Sequence, residues 1–524
     1  METLKRIGLS AIPEVIDTFA SLFEDLSIPP EAVAYALFEL KKLDPDRFKS
    51  PKCPEPISSQ LIPRELLLDL YDNLIFSVAS YGPTSYLYAE CDVERSSDDG
   101  VITESASVIT KWAKGSFSEH VALLVDAHTT GTSDDILVMS FPDKQEAFRC
   151  AYFILDHKVK EEIVISLRGT YYVCDAITDL VASASDFMGG QCHKGMLRTA
   201  ENIVDEIRDE LRRVVAVRGA DYPVTITGHS LGGSVGSILA MMLKDEFNVR
   251  CFAFACPSVF SADLVDRSKE IVTSLATSTD IVPRLSYQSF QLLAEDVTSL
   301  LDRSPTLADG GLQLRLEKMI HSHLKRKTIR MQERALGDTC ECETDEESDA
   351  SDGEEVEVTT RHQRSWIVRL FLALPFCGCC GRLQAKLHVE KEHVTHESLH
   401  LAPLLPAGRA IRISGLAKAD AEALRRGVEA YREAGHPSPQ APGVDEPFPV
   451  REILQNPLTE TMGRLAGLGK EYLFAHDVDN ESFGRIIVHK ACVLHHYPIV
   501  YIRAIEKCIA VQDEIGDYLA ASEE

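Results

Sequence analysis

One stretch constrains the fold of this chain more than any other: Pro223-Val-Thr-Ile-Thr-Gly-His-Ser-Leu-Gly-Gly-Ser-Val-Gly236. A β-rich run, a glycine cluster and a helix-forming run follow one another there. Val224 and Ile226 alternate with Thr225 and Thr227 as strand residues do, and Ile238 to Lys244 suits a helix. Ser230 therefore falls at the strand-to-helix turn, where Gly228 and Gly232 remove side chains that would clash with so sharp a bend. We read the stretch as a nucleophile elbow, with Ser230 Oγ presented on strained backbone. The amide of Leu231, at the helix N-terminus, is then aimed at a developing oxyanion. A second, overlapping G-x-S-x-G at 232–236 puts Ser234 a turn inside the helix, where its hydroxyl is expected to bond a backbone carbonyl. A glycine-rich packing turn is the competing reading for Ser230.

The neighbouring segments fit an α/β sheet around that turn. Ala151–Leu155 and Ile163–Leu167 are apolar and β-rich, with the mostly charged 156–162 between them, and resemble a hairpin. The second strand ends in Arg168-Gly-Thr170. A loop leaving a strand beside the nucleophile is where a second oxyanion donor belongs, so Thr170 is the candidate, against a plain glycine turn with a capping threonine. Val249–Ala255 reads as a strand, Ser261–Lys269 as a helix and Ile271–Ala276 as the next strand, which delivers Asp280 at its carboxyl end. Catalytic acids leave α/β sheets at such a point, although an isolated Asp there also suits a cap or an Asx-turn. Twelve of the seventeen histidines follow Asp280, so position must select the base. Phe483–His489 reads as a strand and Ile499–Ile509 as a helix, which makes 493–498 the loop between them. His495 and His496 both qualify there on spacing.

Together these residues resemble the class 3 lipase family and, within it, the diacylglycerol lipases. The resemblance is carried by Ile163-Val-Ile-Ser-Leu-Arg-Gly-Thr170, Asp175–Leu180, His193–Leu197, Thr227-Gly-His-Ser-Leu-Gly-Gly233, Thr279-Asp-Ile-Val-Pro-Arg-Leu285, Pro406–Arg409 and His496–Pro498. It covers about 150–290 and 400–510. It implies Ser230 as nucleophile, Asp280 as orienting acid, His496 as base, and Thr170 with Leu231 as oxyanion donors. His496, two residues before Pro498, stands where the family histidine does, while His495 replaces the Asp that commonly precedes it. The implied fold is an α/β-hydrolase with a mostly parallel sheet, a helical N-terminal extension and a long, partly disordered insertion. The implied activity is hydrolysis of a diacylglycerol ester. A phospholipase A1 or triacylglycerol lipase uses the same triad, and a lipase-like scaffold that has lost catalysis is the reading from another class.

The expected organisation is a helical prelude at 1–60 (patterns at Ile12–Leu26 and Glu31–Leu43), a first core part at 61–285, an insertion at 286–400 and a second core part at 401–524. A helix is expected at Glu65–Tyr81. Within the insertion, Leu312, Leu316, Met319, Ile320 and Leu324 form an apolar stripe accompanied by basic residues, as in a helix lying on an anionic lipid surface or packing on a core. The tract Asp338–Glu357 carries eleven acids and no Lys or Arg and is expected to be disordered. Cys377, Cys379 and Cys380 follow an apolar run from Trp366. They suggest reversible palmitoylation, against a buried flap or a zinc site for which no second C-x-x-C stands nearby.

A net charge of −27 argues against a nucleic-acid partner. No stretch offers the eighteen or so apolar residues that span a bilayer, so membrane contact is expected at the interface, by a cytoplasmic, peripherally associated protein with reduced thiols. No metal or cofactor is expected: Asp477–Glu481 begins like a calcium loop, but Ser482 stands where Gly is needed and Val488 where a bidentate Glu is needed.

Overall fold

The computed structural model describes residues 30–54, 61–82, 116–129, 131–141, 148–170, 184–303, 403–434, 466, 468, 472–489 and 491–523. In chain order the elements are α1 (Pro30–Leu43), α2 (Arg64–Ala79), α3 (Phe117–His128), β1 (Ile136–Ser140), β2 (Tyr152–His157), β3 (Glu162–Leu167), β4 (Ala184–Phe187), β5 (Gly190–His193) and α4 (Lys194–Arg218). They continue with β6 (Val224–His229), α5 (Leu231–Leu243), β7 (Val249–Phe254), α6 (Ala262–Ser268), β8 (Val272–Thr277), α7 (Tyr287–Asp302), β9 (Arg409–Gly415), α8 (Lys418–Glu433), β10 (Leu473–Val478) and α9 (Pro498–Glu523). Residues 30–43 and 295–303 belong to a smaller compact unit, and the other described residues to a larger one that holds β1 to β10. In the smaller unit, α1 buries Val33 and Ala36 and pairs Lys42 with Glu39 at 2.7 Å.

Eight strands of the larger unit form one sheet in the order β1-β2-β3-β6-β7-β8-β9-β10. The run β3, β6, β7, β8, β9 is parallel, while β1–β2, β2–β3 and β9–β10 pair antiparallel. Parallel neighbours need crossovers, and the crossover helices cover the faces of the sheet. Adjacent residues of β6 identify those faces. A Cβ on Gly236 of α5 would lie 3.0 Å from the Ile226 methyl, whereas the Thr227 hydroxyl donates to the Asn73 carbonyl of α2 at 2.8 Å. Thus α4 and α5 pack together on one face, and α2 with α9 on the other, where Arg64 meets Asp513 through two guanidinium nitrogens. This is the α/β-hydrolase architecture.

The threonines of β6 do not mark a solvent face. All six residues of the strand are buried, with Thr225 donating to Glu162, and Ser166 on β3 donates to the Phe76 carbonyl of α2 at 2.8 Å. Each hydroxyl is therefore satisfied inside the packed layer, which removes the cost of burying it.

The expected hairpin is β2–β3, with Tyr152 opposite Leu167. The expected strand over Phe483–His489 is not formed. A 3-10 turn occupies Asn480–Phe483 and irregular chain follows. The buried Phe483, Ile486 and Val488 are held instead by the 44–53 loop, through Arg47 Nε to the Ile486 carbonyl at 3.2 Å and Val488 N–H to the Arg47 carbonyl at 2.9 Å. The last strand is β10, which takes in Asp477 and Val478 from the stretch that begins like a calcium loop; Asp477 pairs with Arg409 of β9. The stretches 12–26, 175–180, 312–330, 338–357 and 366–380, with Cys377, Cys379 and Cys380, lie outside the described residues. Among the described residues no helix is long and apolar enough to cross a membrane, and no disulfide joins the cysteines.

Candidate active site

Ser230 directly follows the six-residue β6 and caps α5 with φ 57° and ψ −128°, a left-sided backbone conformation that a non-glycine residue holds only when its surroundings enforce it. Two close approaches enforce it here. A Cβ on Gly228 would lie 2.4 Å from the Gly232 carbonyl carbon, and one on Gly232 would lie 2.3 Å from the Leu167 carbonyl oxygen. The strand and the helix that follows it can double back only because both positions lack a side chain. Ser234, the alternative serine, donates to the Pro257 carbonyl at 3.0 Å, so its hydroxyl is engaged in the helix wall.

Asp280 follows the carboxyl end of β8. Each of its carboxylate oxygens has a different partner. Oδ1 accepts the Val282 N–H at 2.9 Å in an Asx-turn, and Oδ2 lies 3.1 Å from His496 Nδ1. Downstream, Arg284 ties this loop to the irregular 482–485 segment. Its guanidinium donates to the carbonyls of Ser278, Ser482 and Arg485 and stacks over the Phe483 ring. Burial, reinforced by Arg412, pushes that guanidinium down to about 9, which leaves it charged at neutral pH.

His496 closes a short 3-10 turn, Leu494–His496, ahead of α9. Its Nε2 lies 3.0 Å from Ser230 Oγ. A carboxylate only accepts, so Nδ1–H donates to Asp280 and Nε2 is left to accept the serine proton. The adjacent His495 has both ring nitrogens engaged elsewhere, Nδ1 with the Thr279 hydroxyl and Nε2 with the Ala466 carbonyl, each at 2.8 Å. Side-chain partners separate two histidines that sequence spacing left equivalent. Ser230, Asp280 and His496 are each no more than 3% exposed, so the chain of hydrogen bonds sits where solvent screening is weak.

The two oxyanion candidates flank the serine. Leu231 N–H is the first amide of α5 and has no intrahelical acceptor. The loop carrying Thr170 crosses beside the nucleophile: a Cβ on Gly169 would lie 3.0 Å from Ser230 Cβ and 2.4 Å from the His229 carbonyl oxygen.

Tyr501, on the first turns of α9, is a site residue that sequence reasoning misses. Its hydroxyl donates to Asp280 Oδ2 at 2.7 Å and accepts the Thr277 N–H at 3.1 Å. Burial, then the charge of Asp280, pushes the phenol well above its usual range, so it remains a donor. Nothing in the pattern of a buried aromatic on an apolar helix distinguishes it from core. Among the described residues no cluster of three or more His, Cys, Asp or Glu side chains is placed to hold a metal ion.

Residues 164–290 match the family described as lipase (class 3). Among curated proteins, diacylglycerol lipase-beta from Mus musculus is 27% identical over 310 residues, 56% of this chain and 45% of that one. Diacylglycerol lipase-alpha from Homo sapiens is 32% identical over 170 residues, 29% of this chain and 16% of that one. The matched part thus spans less than half the length of either relative. Among solved structures, lipase II from Rhizopus niveus aligns over 44% of this chain and 78% of its own with 19% identity and a TM-score of 0.33.

Proposed function

We propose, from the premise that this chain belongs to the class 3 lipase family, that it is a serine lipase that hydrolyses an acyl ester of diacylglycerol to monoacylglycerol and free fatty acid. The observation that carries the reading is the continuous chain Ser230–His496–Asp280, with links of 3.0 and 3.1 Å, at a strained strand-to-helix turn. Ser230 Oγ attacks the ester carbonyl as its proton passes to His496 Nε2, and the oxyanion of the tetrahedral intermediate is held by the amides of Leu231 and Thr170. Collapse breaks the ester bond, and the departing alcohol takes the proton from His496. Water, deprotonated by the same nitrogen, then releases the fatty acid and restores Ser230. Asp280 stays ionised throughout, fixing the tautomer and stabilising the imidazolium. The choice of diacylglycerol follows the two diacylglycerol lipases to which the chain is similar. Because the substrate is a lipid, the chain is proposed to work at a membrane surface as a peripheral protein.

The test is turnover of diacylglycerol, triacylglycerol and phosphatidylcholine by the purified protein beside Ser230→Ala, together with labelling by a fluorophosphonate. We expect diacylglycerol to be the preferred substrate, and the variant to lose roughly 10⁴-fold or more in rate together with all labelling. Undiminished labelling of Ser230→Ala would remove the nucleophile assignment, and preference for a phospholipid would move the substrate.

A further inference from the structure

A second hydrogen-bonded chain reaches the base through its backbone. His229, between Gly228 and the nucleophile, is 2% exposed. Its Nε2 lies 2.9 Å from the main-chain carbonyl oxygen of His496, and its Nδ1 lies 2.9 Å from the hydroxyl of Tyr81, two residues beyond α2. A carbonyl oxygen only accepts, so the ring proton is on Nε2, Nδ1 is the acceptor and Tyr81 donates. Burial, then the charge of His496, pushes His229 well below the usual imidazole range and keeps the ring neutral. The two imidazoles are close, with ring centroids 4.9 Å apart.

We propose that His229 is a positioning residue for the reaction above, holding the 494–496 turn by the His496 carbonyl, and that Tyr81 fixes the tautomer that makes the hold possible. The inference rests on the serine-hydrolase reading. Other bonds hold the turn at its neighbouring residues, His495 N–H to the Ala491 carbonyl at 2.8 Å, His496 N–H to the Val493 carbonyl at 3.0 Å and the Thr277 hydroxyl to the His495 carbonyl at 3.2 Å, whereas the His229 ring meets the carbonyl of the base itself. The imidazole of that base must bridge Ser230 and Asp280, and a small rotation of the turn separates it from both. His229 is chain neighbour to Ser230, so one hydrogen bond couples the main chain of the base to the strand of the nucleophile, and the two reacting groups keep their distance. With the proton on Nδ1 instead, His229 would aim a lone pair at the carbonyl and the hold would become a repulsion. A cation in this place would also oppose the imidazolium that His496 becomes.

The test has a spectroscopic arm and a kinetic arm. In the full chain labelled with ¹⁵N-histidine, with His229→Gln to assign the signal, we expect the neutral Nε2–H form of His229 in the wild type and a mixture of tautomers in Tyr81→Phe. In lipid hydrolysis, His229→Leu should lower kcat on the order of 100-fold with KM within about 2-fold, and His229→Gln, which keeps an N–H near Nε2, should recover most of it. Tyr81→Phe should cost about 10-fold in the wild type and less than about 2-fold when added to His229→Leu, because it acts only through the ring. An Nδ1–H tautomer in the wild type, equal activity of the Leu and Gln variants, or an equal cost of Tyr81→Phe in both backgrounds overturns the proposal. Should His229→Leu fail to fold, the tautomer comparison decides. That arm needs no turnover, so a wild type without lipid hydrolysis refutes the lipase reading alone.

Discussion

At the scale of single residues, the proposed catalytic acid is more heavily bonded than a triad diagram suggests. Asp280 accepts the Val282 amide, the His496 imidazole and the Tyr501 hydroxyl, and Tyr501 in turn accepts the Thr277 amide. Tyr501→Phe removes one donor from a buried carboxylate and leaves a buried amide without its acceptor. It should destabilise the fold by about 1–3 kcal/mol and lower kcat without raising KM. Denaturant midpoints and steady-state kinetics check this; a variant with wild-type stability would show that the hydroxyl is replaceable by water. The same residues show how far a sequence can be read. Ser230 and Asp280 are legible because their chemistry needs particular neighbours in the chain: glycines at 228 and 232, and a strand end before 280. The choice between His495 and His496 turns on Thr279, Ala466, Ser230 and Asp280, none of them sequence neighbours of the pair. Tyr501 and Tyr81 go unmarked in the sequence because the partners that give them a role stand more than a hundred residues away.

At the scale of elements, β2, β3, β6, β7 and β8, which lie around the elbow, were readable in the sequence, and β1, β9 and β10 at the two ends of the sheet were not. β10, Leu-Phe-Ala-His-Asp-Val, breaks its pattern with His476 and Asp477 because the first bonds Ser414 and the second pairs with Arg409 across the β9 register. The apolar run 483–488 has the composition of a strand, yet its backbone is satisfied by the 44–53 loop, and periodicity carries no information about such a distant partner. Glycine positions separate packing from propensity in the same way. Gly228→Ala places a methyl 2.4 Å from backbone atoms of Gly232 and should destabilise the fold by about 1–3 kcal/mol while reducing activity. Gly516→Ala, on α9 with nothing within 4 Å of the added carbon, should stabilise by up to about 1 kcal/mol. Equal effects of the two substitutions on the unfolding midpoint would contradict this assignment of the elbow glycines.

At the scale of the whole molecule, buried histidines make stability depend on pH. His476 is pushed down to about 4, first by burial and then by Arg412, with its ring neutral between the Ser414 hydroxyl and the Asp477 carbonyl. An unfolded histidine titrates near 6.5, so between about 6.5 and 4 the unfolded chain binds a proton that the folded one refuses, and stability falls as pH falls through that window. His229, also pushed down, adds with the same sign. Between pH 7 and pH 5 the His476 contribution should be about 1–2 kcal/mol. Urea titrations of the wild type and His476→Gln at the two values test it; parallel losses would place the acid sensitivity elsewhere.

The serine and the imidazole that serves it stand 266 positions apart. A ribosome adding about 5–20 residues per second makes the first of them some tens of seconds before the second. During that interval β6 and α5 can already pack, yet their hydroxyl has nothing to take its proton. Synthesis itself therefore supplies a delay, in which the growing polypeptide holds the proposed nucleophile without the base that would activate it.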